Sequence, residues 1–246
     1  MAEYQTRMRS PASTAGVIDA GLRAYMLQVY NYMLAGLGLT GVSAWVVANV
    51  ESVRSVFFQF NAATGTYGMS MLGWIALFAP LGMVLLLSFR IQRMSLSAAR
   101  TTFWVYAALM GVSLAPILLL YTGASVARVF FITAATFGAM SLYGYTTKRD
   151  LSGFGSFLFM GLIGLIIASV VNMFLASSMM QWIISIAGVG IFVGLTAYDT
   201  QYIKELYIAN DDGTVQGKKA VMGALKLYLD FINLFIMLMR LMGDRR

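Results

Sequence analysis

Seven stretches almost free of charge divide the chain, at 26–49, 69–90, 101–121, 124–146, 154–176, 179–203 and 220–243. Each is at least as long as the roughly 20 apolar residues that an α-helix needs to cross a bilayer core. Backbone facing lipid must satisfy its own hydrogen bonds, so each stretch is predicted to be a transmembrane helix. The third and fourth are separated by little more than Thr122 and Gly123, and the fifth and sixth by 176–178, which makes both pairs tight antiparallel hairpins. The longest connections are 50–68, with Asn, Thr and Gly near its middle, and 204–219, whose IANDDGTVQGKK reads as a polar loop. Neither is long enough to be a domain. The expected organisation is a polar tail over 1–25 followed by one seven-helix membrane domain over 26–246.

The polar residues between the spans give an orientation. Arg7, Arg9 and Arg23 precede the first span, and Arg90, Arg93 and Arg100 join the second to the third. Lys148 and Arg149 join the fourth to the fifth, and Lys204, Lys218 and Lys219 join the sixth to the seventh. All four groups fall on one side, whereas the other side has only Arg54 in the first loop and Arg128 just inside the fourth span, so the positive-inside rule puts the N-terminus in the cytoplasm. A crossing seventh segment leaves Arg240, Arg245 and Arg246 on the positive-poor side, whereas a re-entrant one returns them to the cytoplasm. Crossing is the expectation, because six earlier spans outweigh a short tail. The start does not read as a cleavable signal peptide, so the first span is expected to be its own insertion signal.

Composition narrows the chemistry. Hydrophobic residues make up 59% of the 246 and charged residues 11%, whereas soluble domains carry about 25% charged residues. The net charge of +7 is read as loop asymmetry and attraction to anionic lipid, without nucleic-acid binding. With no cysteine and no histidine, thiolate and imidazole chemistry is excluded, and the remaining ligands are oxygens that suit Ca²⁺, Mg²⁺, Na⁺ or protons. There is no phosphate-binding Gly-Lys-Ser loop, no HExxH and no GxSxG, so no enzymatic activity and no bound cofactor are expected. The Asp211-Asp212-Gly213 run lacks the ligand series of an EF-hand. Gly190 and Gly194 form a GxxxG spacing that reads as close packing within one chain.

Eight of the ten acidic residues lie in tails, loops or span edges, which leaves Asp199 near the inner end of the sixth span and Asp230 inside the seventh. Carboxylates at membrane depth are costly and mark ion or proton routes, or pair with one another. The two spans are consecutive and antiparallel, and the acids reach one level if the seventh helix begins a turn or two after Lys219. If they meet, low dielectric and like-charge repulsion oppose double ionisation, and the pair should share a proton. The alternative is a solvated Asp199 with a separately hydrogen-bonded Asp230. Tyr198, Thr200, Tyr228 and Asn233 are available as hydrogen-bond partners. For a counter-charge, Arg90 ends the second span at a depth comparable with Asp199, and Lys226 precedes Asp230 by four residues on one helical face. An intramembrane aspartyl protease also uses two aspartates, but its GxGD context is missing.

KLYLDFINLFIMLMRLMG at 226–243, with TAYDTQYIK at 196–204 before a polar loop, resembles the transmembrane Bax inhibitor motif family, the Bax inhibitor-1-like proteins with bacterial members. The resemblance covers the layout from about residue 24 onward. It implies six helices around a central C-terminal helix, and a pH-sensitive carboxylate pair controlling a calcium leak. Asp199 matches the sixth-helix acid and Asp230 the last-helix acid, while the second-helix arginine that latches the closed state maps most simply onto Arg90, with Arg93 the nearby alternative. On this reading a shared proton and Arg90 hold the bundle closed, and their loss frees carboxylate oxygens for transient contact with calcium. The resemblance also implies an alternative, a regulator that binds other membrane proteins, since family members modulate cell death and membrane proteolysis. The expected location is a bacterial inner membrane.

Overall fold

The computed structural model describes residues 11–61 and 66–246, with side chains over 20–59 and from 68 onward. Arg7 and Arg9 lie outside the described residues. The elements are α1 (Pro11–Asn49), α2 (Glu51–Phe57), strands β1 (Phe58–Asn61) and β2 (Thr66–Met69), α3 (Met71–Arg90), α4 (Leu96–Leu120), α5 (Gly123–Thr146), α6 (Ser152–Leu175), α7 (Ser178–Glu205) and α8 (Gly213–Met242). All seven helices other than α2 are long and apolar enough to cross a membrane.

The helix starts follow from short polar side chains that accept the otherwise orphaned first N–H groups. Ser70, Ser95, Thr122 and Ser177 cap α3, α4, α5 and α7 in this way. Asp212 Oδ1 accepts from both Thr214 N and Val215 N, at 2.7 and 2.9 Å. That cap starts α8 at Gly213, earlier than the expected 220, because the polar residues after Asp212 wind into two helical turns of their own. The Asp-Asp-Gly run is thus a helix cap. Pro80 interrupts α3 and cannot donate to Ala76 O one turn back. Ser113 Oγ of α4 donates to that carbonyl at 2.9 Å, as lipid-embedded backbone requires.

The structure adds elements to two stretches outside the expected spans. The 1–25 tail is helical from Pro11, since α1 extends the first span outward by several turns, and proline is well suited to a first helical turn. The 50–68 connection holds α2 and an antiparallel hairpin in which Phe58 pairs Met69 and Gln59 pairs Gly68. Phe58 and Phe60 at alternate positions, with Tyr67 in the second strand, supply the strand-forming pattern.

The last helix is the axis of the fold. In α8, 72% of the most apolar stretch is buried, against 11–39% for the other six spans. It packs on α7, α1, α5 and α4, while α3 packs mainly on α4 and α6 mainly on α7. α7 and α8 run antiparallel in constant register. Lys219 Nζ meets Leu206 O at 2.9 Å and Lys226 Nζ meets Asp199 at 2.9 Å, so seven residues forward on α8 match seven back on α7. A Cβ on Gly188 would meet Met237 farther along the same seam.

α8 runs the whole length of the bundle. At its start Lys218 Nζ donates to Gln92 O between α3 and α4. Beyond its end, Thr122 N donates to Asp244 O, Arg246 N donates to Leu120 O, and Arg128 pairs with Asp244 at 2.8 Å, all at the α4–α5 turn. The segment therefore traverses the bundle, as the crossing expectation has it. Gly194 packs its helix against Leu158 of α6, the close packing within one chain expected of the Gly190–Gly194 spacing, while Gly190 has no neighbour in contact.

Candidate functional site

Asp199 and Asp230 come together. At 1.5 Å per residue, the α7–α8 register puts Asp230 about one turn, or about 6 Å, past the level of Asp199. Side chains on a helix lean toward its N-terminus. Because α7 and α8 are antiparallel, Asp199 leans toward the level of Asp230 and Asp230 leans back, which closes the offset. The carboxyls are close enough for each to act on the other. Both are buried, at 8% and 5% exposure, and Asp230 Oδ2 finds no N–H or O–H donor among the described residues.

The counter-charge is Lys226. Its Nζ stands 2.9 Å from Asp199 Oδ1 and 4.7 Å from the centre of the Tyr202 ring. Sequence spacing pointed Lys226 along its own helix at Asp230. Instead the interhelical register puts Lys226 level with Asp199. Arg90 is exposed at the end of α3 and makes no ion pair among the described residues. α3 packs mainly on α4, and its end stands beside the start of α8, where Lys218 Nζ donates to Gln92 O, whereas Asp199 is level with Lys226 about two turns farther along.

None of the four expected hydrogen-bond partners serves the acids. Thr200 Oγ1 donates to Thr196 O and meets Ser141, which in turn meets Tyr30 at 2.6 Å. Tyr228 is held by Thr40 at 2.6 Å, and Asn233 donates to Leu229 O. The Tyr198 ring lies against Gly155, where a Cβ would meet it. These bonds tie α1, α5, α7 and α8 together, so the acids are left with each other and with Lys226.

The acids lie on the wall of a cavity of about 1220 Å³ between α6, α7 and α8. Its α6 wall extends from Gly155 to Ala176, about 31 Å at 1.5 Å per residue, which matches the roughly 30 Å of a hydrocarbon core. Its α8 wall is the stripe Lys226, Leu229, Asp230, Asn233, Ile236 and Arg240, one helical face by its spacing of three and four. Asp199, Lys226, Asp230 and Arg240 are the ionisable acids and bases on it. The α6 wall is mostly apolar, with Phe159, Leu162, Ile166 and Val170. Among the described residues no group of three or more acidic side chains is placed to hold a metal ion.

Comparison with known proteins extends the resemblance over nearly the whole chain. A family model described as inhibitor of apoptosis-promoting Bax1 matches residues 22–246. The chain is 50% identical over 246 residues to RP147 of Rickettsia prowazekii, covering 100% of both chains. It is 48% identical over 229 residues to the inner membrane protein YbhL of Escherichia coli, covering 92% of this chain and 94% of that one. It is 37% identical over 225 residues to the membrane protein SpyM3_0260 of Streptococcus pyogenes, covering 92% and 94%.

Proposed function

Because the chain belongs to the Bax inhibitor-1 family of membrane proteins, we propose that it is a pH-responsive cation leak, with Ca²⁺ as the favoured ion, resident in a bacterial inner membrane with its N-terminus in the cytoplasm. The observation that carries this reading is the meeting of Asp199 and Asp230 on the wall of the cavity between α6, α7 and α8. Carboxylate oxygens are the ligands that hard cations take. The relative named an inner membrane protein supports the location, and the gathering of the basic loops at the end where α8 begins supports the orientation.

The mechanism is electrostatic, with no covalent step. A proton and a metal cation compete for the same oxygens, so cation binding releases the shared proton and strengthens as pH rises. In the protonated state the pair has no net demand for a cation beyond Lys226. Loss of the proton leaves two carboxylates at membrane depth, where an unpaired charge is costly, and a cation entering the cavity relieves that cost.

Purified protein in liposomes loaded with a Ca²⁺ indicator tests the reading. The expected result is Ca²⁺ entry clearly faster than in protein-free liposomes. Entry no faster than in protein-free liposomes rejects the leak and returns the weight to a regulator of other membrane proteins.

A further inference from the structure

We propose that the Lys226 ammonium is a resident counter-cation at the acid pair, and that a metal cation binds there by exchange with it. The inference rests on the reading of Asp199 and Asp230 as the cation site. Lys226 Nζ occupies the place beside Asp199 Oδ1 that a bound cation would take, at 2.9 Å. Its side chain is 40% exposed, and that exposed part faces the cavity. A lysine buried only to staple two helices would have no open side from which a competitor could reach it.

The structure also provides a second place for the ammonium. Tyr202 is one turn beyond Asp199 toward the end of α7, and its ring face already lies 4.7 Å from Nζ. A flexible four-carbon stem can leave Asp199 and stay over that ring, keeping a cation–π attraction. The charged and titratable groups facing the site are Asp199, Tyr198 and Tyr202 from α7, and Asp230 from α8, with Arg240 farther along the cavity. The cavity-lining residues of α6 are all uncharged. Before the exchange the site is neutral, with one carboxylate, one protonated carboxyl and the ammonium. After a divalent cation enters and one proton leaves to solvent, the two carboxylates neutralise the metal, and the ammonium carries the one added positive charge over the Tyr202 ring on the side open to the cavity.

Calorimetric titration of Ca²⁺ into the purified protein in detergent tests this, with wild type, Lys226→Gln, Lys226→Arg and Asp199→Asn/Asp230→Asn compared. The expected result is Ca²⁺ binding at least about ten-fold tighter in Lys226→Gln than in wild type, since removing a unit charge a few ångströms away is worth several-fold to many-fold in affinity. Lys226→Arg, which keeps a cation in place, is expected to bind no more tightly than wild type, and the double aspartate variant to lose binding. Equal or weaker binding by Lys226→Gln overturns the exchange. If Lys226→Gln does not fold, Tyr202→Leu serves: removing the resting place should weaken Ca²⁺ binding several-fold, and unchanged affinity overturns the proposal. Binding in wild type that survives in the double aspartate variant sinks the cation-site reading itself, whereas aspartate-dependent binding untouched by Lys226 sinks only the exchange. No binding in any variant overturns both.

Discussion

Gly144→Ala is a direct test of how α7 is placed. Gly144 is near the end of α5, and a Cβ there would run into the Ala197 backbone, carbonyl included. Backbone cannot rotate away, so α5 and α7 must move apart. Such overpacking costs about 1–3 kcal/mol, while alanine in a helix gains up to about 1 kcal/mol over glycine. Gly138→Ala on the same helix is the matched control, because nothing stands within 4 Å of its Cβ and it keeps the propensity gain. The difference between the two variants isolates the clash at about 1–3 kcal/mol. For a chain of this size each kcal/mol moves the melting temperature about 2–4 °C, which puts Gly144→Ala about 2–12 °C below Gly138→Ala. Thermal unfolding in one detergent, followed by circular dichroism, measures it. Equal melting temperatures would refute the close α5–α7 approach, and with it the placement of Asp199 two residues beyond Ala197.

Three other outcomes follow from single contacts. Arg90→Gln and Lys226→Gln separate the two counter-charges: Lys226→Gln should move the pH midpoint of Ca²⁺ flux in proteoliposomes and Arg90→Gln should leave it in place, and the reverse result would restore the Arg90 latch. Asp212→Ala should cost about 1 kcal/mol by leaving Thr214 N and Val215 N without their cap, read as a lower melting temperature with an unchanged pH profile of flux. Hydrogen bonds from Ser152 hold the Asp150 carboxyl below its usual range. Its contribution is therefore present above the unfolded value near about pH 4 and lost as pH falls through the lower folded value. The melting temperatures of wild type and Asp150→Ala should converge under acid, and a constant gap between them would contradict that.

The spans were legible because a bilayer imposes a length and a polarity that few soluble helices meet. The two acids were legible for the same reason, since a carboxylate in such a stretch needs an explanation. What escaped was set by lateral packing. Arg90 and Asp199 read from the sequence as comparable in depth, yet such a reading fixes neither the exact level of a helix end nor which helices are neighbours, and α3 packs mainly on α4. The Lys226–Asp199 pair follows from an interhelical register, which spacing along one helix does not contain. The start of α8 was missed because its first two turns, GTVQGKK, are polar like a loop. Asp212 was the available signal, as a short acid directly before a helix-forming run. The α2 and hairpin segment has strands only four residues long, too short for their alternation to stand out.

The central claim is that one shared proton on Asp199 and Asp230 governs cation passage. Its most direct test is Ca²⁺ flux into proteoliposomes from pH 5 to 8, with wild type measured against Asp199→Asn and Asp230→Asn. The account predicts a pH slope in wild type that both variants lose. The same slope in wild type and both variants would contradict it.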